Sequence, residues 1–170
     1  MKREASTRLT WIWRVEAVDI LGAFRNPPLI AALTAWALAQ VLKMPVNYAQ
    51  TRNWDWSLLF RAGGMPSSHS ALVTATAHGI GLTVGFEAPL FAMAVAIAMI
   101  VIYDATGIRR QAGKQARVIN AIVQDILDGH PLRSQDKLRE VLGHSPMEAV
   151  VGSILGVVIA QIIVPAMVSL

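Results

Sequence analysis

Residues 70–103 read SALVTATAHGIGLTVGFEAPLFAMAVAIAMIVIY, and Glu87 is the one charge among them. Two uncharged runs, Ser70 to Phe86 and Ala88 to Tyr103, flank a tip marked by Gly85, Glu87 and Pro89. The stretch is too rich in Ala, Met and Gly for buried strands. It predicts a helical hairpin. A membrane-crossing helix needs about 20 mostly apolar residues, within a range of about 17–25. Both arms sit at that limit. Two more uncharged runs, Asn26 to Leu42 and Ala149 to the terminal Leu170, extend the pattern. Small residues recur at helical spacing, at Ser70, Thr74, His78 and Gly81 and again at Gly152 and Gly156. Such positions let helices approach closely in lipid. The expected fold class is all-α: an integral-membrane helical bundle with about four transmembrane helices plus amphipathic surface helices.

Composition agrees. The 170 residues suit a single domain, with 15 Lys+Arg against 11 Asp+Glu and a net charge of +4. Only 15% of residues are charged and 54% are hydrophobic, against about 25% charged in a soluble domain. That excludes a disordered chain and disfavours nucleic acid as a partner despite the basic balance. A soluble bundle would need polar helix faces, which these runs barely have. Cysteine is absent, so disulfides, thiolate zinc sites and cysteine nucleophiles are excluded.

Outside the apolar runs the chain turns amphipathic. Residues 1–25 are expected to form an interfacial segment, with Trp13, Ala17, Ile20 and Phe24 on one helical face, ended by Asn26-Pro27-Pro28. Residues 26–170 then form the membrane-embedded domain. Between Gln111 and Leu127, Ala112, Ala116, Ile119, Val123 and Ile126 share one face, while Lys114 and Arg117 lie elsewhere. Asp128-Gly129-His130-Pro131 reads as a turn, and Ser134 as the cap of a short helix through Leu142.

Chemistry gathers at two helix starts. In Gly63-Gly64-Met65-Pro66-Ser67-Ser68-His69-Ser70, the glycines permit a tight backbone, Pro66 suits a first helical turn and Ser caps free N–H groups. The positive end of the following helix favours an anion. In Gly143-His144-Ser145-Pro146-Met147-Glu148, Ser145 and Glu148 have capping-box spacing and Pro146 the first helical position. A hairpin over 70–103 returns both its ends to one membrane face. Arg61 and His69 then share that face with Asp104, Arg109 and Arg110, and the last helix adds His144 and Glu148. Lys43 closes the first helix on the same side, and Lys114 lies near. Two histidines, two carboxylates and several cations at one surface suit phosphate-ester chemistry. Arg52, Arg117, Arg133 and Lys137 read as topology signals. His78, opposite His69 around the helix, reads as an interhelical hydrogen-bonder, and His130 as a solvated turn residue.

These runs, with Tyr-Asp-Ala-Thr-Gly-Ile-Arg-Arg at 103–110 and Gly-Lys-Gln-Ala at 113–116, resemble the divergent type-2 phosphatidic acid phosphatase family. That group is related to acid phosphatases and vanadium-dependent haloperoxidases. The resemblance spans roughly residues 26 to 165. It implies metal-independent hydrolysis of a lipid or polyprenyl phosphate or diphosphate through a phosphohistidine, with no cofactor. By position, His144 would be the nucleophile, Glu148 (where the wider superfamily has Asp) its orienting partner, and His69 the general acid. Lys43, Arg61, Ser67, Ser68, Arg109 and Arg110 would hold the phosphate, with Asp104 in support. Leu138 stands where the superfamily carries an arginine six residues before the nucleophile.

The expected partners are the lipid phosphate and membrane lipids, with homo-oligomerisation open, in a bacterial inner or organellar membrane. Two rivals stand beside this reading. One is a non-catalytic protein binding anionic headgroups or partner subunits. The other is a metal-dependent phosphotransferase or hydrolase with Asp104, His69, His144 and Glu148 as ligands.

Overall fold

A computed structural model describes residues 20–59, 63–126, 138 and 143–169. Residues 1–19, Arg61, the turn around His130 and the short helix expected after Ser134 lie outside the described residues, as do Arg133 and Lys137. Every regular element among the described residues is helical. After a 3-10 turn at Ile20–Arg25 come α1 (Pro27–Thr51), a second 3-10 turn (Trp56–Leu59), α2 (Ser68–Val84), α3 (Pro89–Thr106), α4 (Ile108–Ile126) and α5 (Pro146–Val168).

Each helix start follows local chemistry. Asn26, expected to end the preceding segment, opens α1 instead: its side chain accepts from the Leu29 N–H at 3.1 Å, and Pro27 and Pro28 occupy the first helical positions. Ser67 caps α2 and Ser145 caps α5 in the same way. Pro66 was expected in the first turn of α2. It precedes the Ser67 cap, joined to Met65 by a cis peptide.

Helices α1, α3 and α5 are long and apolar enough to cross a membrane, with α3 running on into α4 through Gly107. The fourth expected span, α2, has 17 residues, about 25 Å of helix against about 30 Å of hydrocarbon. It stands centrally, packed on α1, α5 and α3. Alanines 31, 32, 35, 39, 71, 75 and 160 with Val164 form the buried core between α1, α2 and α5. Gly152 and Gly156 bring α5 against α2. A Cβ at Gly152 would strike the Ser67 carbonyl, and one at Gly156 the Thr74 hydroxyl and the Ala71 carbonyl. His78 bonds Gln161 of α5 at 2.8 Å, the interhelical link expected of it.

The expected single face of α4 divides. Ala116 is buried beside Gly113 and Asn120, whereas Ile108, Ile119, Ile122 and Ile126 are exposed. Among the described elements α4 packs only on α3, so its buried seam is one residue wide and its broad apolar face points outward. Such a face suits the membrane boundary.

Candidate active site

The loop before α5 is pinned first. Gly143 has φ +83, and a Cβ there would meet the Ala105 carbonyl at 2.7 Å and the Arg110 nitrogen at 2.6 Å. Only glycine fits this approach. It lets the His144 N–H donate to the Ala105 carbonyl at 2.8 Å. The start of α2 is tied to the same place, because the Ser67 N–H donates to the Glu148 carbonyl at 3.0 Å. Backbone contacts therefore hold the ends of α2, α3 and α5 together.

The two histidines meet there. Their ring centroids are 6.2 Å apart, with planes inclined at 57°. His144 is 4% exposed, while His69 is open to the surface. Nδ1 of His144 lies 2.8 Å from Oε2 of Glu148, one helical turn on. A carboxylate accepts only, so Nδ1 carries the hydrogen, and in the neutral ring Nε2 then holds the lone pair. Glu148 also receives its start-of-helix bond, its N–H donating to the Ser145 hydroxyl at 3.3 Å.

His69, Val101, Asp104, Ala105, Arg109, Gly143 and His144 line a cleft of about 60 Å³. Arg109 Nε donates to Asp104 Oδ2 at 2.6 Å, leaving its terminal nitrogens for a ligand. With the guanidinium side chain 64% exposed, this pair contributes about 0–1 kcal/mol to stability. Its consequence is to aim a cation at the cleft.

Lys43 was expected to end the first helix. It lies inside α1, two turns before Thr51, and is 2% exposed. Its Nζ donates to the Ser68 hydroxyl at 3.4 Å. The Ser68 hydroxyl is its hydrogen-bond partner at this depth, and the Glu148 carboxylate opposes its charge across the helix junction. Ser67 and Ser68 are likewise buried: the Ser67 hydroxyl accepts from the N–H and hydroxyl of Ser70. Lys43, Ser67 and Ser68 thus stand beside the histidines without lining the cleft. Arg110 is exposed and does not line it either. Arg61 lies outside the described residues.

His69 stands just ahead of the uncharged run that begins at Ser70. Partial burial lowers its pKa below the usual histidine value, and the charge of His144 when that ring is protonated, with those of Lys43 and Arg109, lowers it further. The free ring is therefore mostly neutral near pH 7. An anion held in the cleft would oppose those cations and favour the proton.

Ala105 and Asn120 were missed in the sequence. The Ala105 carbonyl holds the His144 backbone. Asn120 donates to the Leu138 carbonyl at 2.9 Å and accepts from its N–H at 3.0 Å, joining α4 to the segment leading to the site. A polar Asn at the edge of an apolar helical face was the available signal. No group of three His, Asp or Glu side chains among the described residues could hold a metal ion.

A family model described as the divergent PAP2 family matches residues 24–159. A relative in Bacillus subtilis (strain 168), the uncharacterized membrane protein YuiD, is 41% identical over 148 residues, 81% of this chain and 94% of that one. No solved structure matches.

Proposed function

This chain belongs to the divergent PAP2 family, a phosphatase-related group of integral membrane proteins, and from that premise we propose that it hydrolyses a lipid or polyprenyl phosphate or diphosphate without a metal. The carrying observation is the Glu148–His144 hydrogen bond of 2.8 Å with His69 6.2 Å across a cationic cleft.

The chemistry follows from which atoms are committed. Glu148 fixes the His144 tautomer, so Nε2 is the nucleophile, and the carboxylate stabilises the imidazolium as it forms. Nε2 attacks phosphorus. The bond from phosphorus to the ester or bridging oxygen breaks, and His69 gives that oxygen its proton. Arg109 balances charge on the phosphoryl oxygens, and buried Lys43 and the N-terminal end of α2 add to its field from behind the cleft. Neutral His69 then takes a proton from water. The hydroxide displaces the phosphoryl group from Nε2, releasing phosphate and restoring both rings.

The test is phosphate release by the purified full chain in micelles, with chelator present, across phosphatidate, phosphatidylglycerophosphate and undecaprenyl diphosphate. Release is expected from one of them. His144→Ala should abolish it and His69→Ala reduce it about 10²–10⁴-fold. Acid-labile, base-stable label from a radioactive substrate should appear on His144, and vanadate should inhibit. Full activity in the double variant would end the proposal. Lipid binding without turnover would favour a headgroup-binding protein, and loss of activity with chelator a metal-dependent enzyme.

A further inference from the structure

A second cavity, of about 290 Å³, runs between α2 and α3. Leu72, Thr76 and Ile80 line it from α2, and Met93, Ala94 and Ile97 from α3. Its register ties it to the cleft. Thr76 and Ile80 stand seven and eleven residues beyond His69, spacings that return to the same helix face. Ile97 and Ala94 stand four and seven residues before Val101, which lines the cleft with His69. The cavity and the cleft therefore follow one another along the same faces of α2 and α3, the cleft polar and the cavity, a trough between the helices, apolar.

Nothing in the lower part asks for a polar ligand. The Thr76 hydroxyl donates to the Leu72 carbonyl at 2.9 Å. The outer rim is open, with Met93 56% and Ile97 53% exposed on the face of a membrane-crossing helix. From Leu72 to Ile80 the trough is about 12 Å long, most of one leaflet of a hydrocarbon layer about 30 Å thick. Its volume lies at the small end for ligand pockets, which run from about 300 to 1,000 Å³.

We propose that this trough seats a single hydrocarbon chain of the substrate, entering sideways between α2 and α3, with its phosphate between His69 and His144. The inference rests on the phosphatase reading and narrows its substrate to a phosphate whose attached chain passes alone through the α2–α3 gap. A second acyl chain, where the substrate has one, stays in the surrounding lipid.

The probe is a non-hydrolysable lipid phosphonate with a photoreactive diazirine in mid-chain, applied to the full chain in lipid nanodiscs. Label is expected on the segments 72–80 and 93–97. Excess lipid phosphate should displace it, and a phosphate-free lipid of equal chain length should not. Label on α1 or α5, or label that the phosphate-free lipid displaces equally, overturns the inference. A turnover arm adds Ala94→Trp, which fills the trough. It should lower the ratio of long-chain to short-chain substrate turnover about tenfold; an unchanged ratio also overturns it. Displaceable label on those segments in a protein that hydrolyses nothing would keep the chain site and remove the phosphatase. Turnover with label elsewhere would do the reverse.

Discussion

Helices α2 and α3 are adjacent in sequence, similar in length and both apolar, yet they are buried in opposite ways. Buried positions in α2 include Ser68, Ser70, Ala71, Ala75, Ala77, Gly79 and Gly81. In α3 only Ala98 and Ala105 are buried, while Leu90, Met93, Ile97, Met99 and Ile100 are exposed. Side-chain size separates the two. In lipid, large apolar groups gain nothing by leaving the hydrocarbon, whereas small ones allow backbones to touch and pack. The difference also divides the labour at the site. The close-packed seam of α2 with α5 positions the histidines and Glu148, and the more exposed pair α3 and α4 supplies a wall and an exposed cation.

The largest effect should come from disturbing that seam. Any side chain at Gly156 meets the Thr74 hydroxyl and the Ala71 carbonyl. Gly156→Leu should therefore destabilise the folded bundle by about 3 kcal/mol, the upper range for overpacking, and abolish phosphate release. Ala96→Leu, on the exposed side of α3, should change stability by no more than about 0.5 kcal/mol. Thermal unfolding in micelles checks both, and similar shifts would erase the distinction between the two helices.

The next contrast sets the two carboxylates against each other. Glu148→Gln keeps the shape but frees the His144 tautomer, and kcat should fall about a hundredfold or more. Asp104→Asn, on the α3 side, loosens only the aim of Arg109 and should cost about tenfold or less. Steady-state phosphate release on the two variants measures the gap. Equal losses would mean that Asp104 acts on the reacting atoms too.

Much of this arrangement is legible in the sequence. The capping signals at Ser67 and at Ser145-Pro146 place both histidines at helix mouths, and the hairpin returns those mouths to one face. Helical spacing also anticipated the His78 contact and the glycine seam. The burial of Lys43 was not readable. A lysine after an uncharged run normally marks the end of a span, and its partners Ser68 and Glu148 are far away in sequence. The face of α4 was read too broadly for a related reason. Periodicity reports an apolar surface but does not say whether protein or membrane covers it. The residues that hold His144, the Ala105 carbonyl above all, act through backbone atoms that any residue possesses.

The smallest expected effect tests whether the outer wall acts on the seam electrically. His69 must carry a proton to serve as the acid, so kcat/KM falls as pH rises through its pKa in the free enzyme. Burial, the charges of Lys43 and Arg109, and that of His144 when it is protonated all depress that pKa. The alkaline limb should accordingly lie below the ordinary histidine value of about 6.5. Arg109→Gln removes one of those charges and leaves the Asp104 carboxylate unopposed, and both changes favour protonated His69. The limb should move to higher pH even as the maximal rate drops with the loss of the cation at the cleft. Arg109 suits the experiment better than buried Lys43, because its exposed side chain can be shortened without opening a cavity. Profiles of kcat/KM in high salt should narrow the difference, since exposed charges are screened. A limb that stays put, or moves to lower pH, would show that α4 contributes a wall and nothing more to the proton on His69.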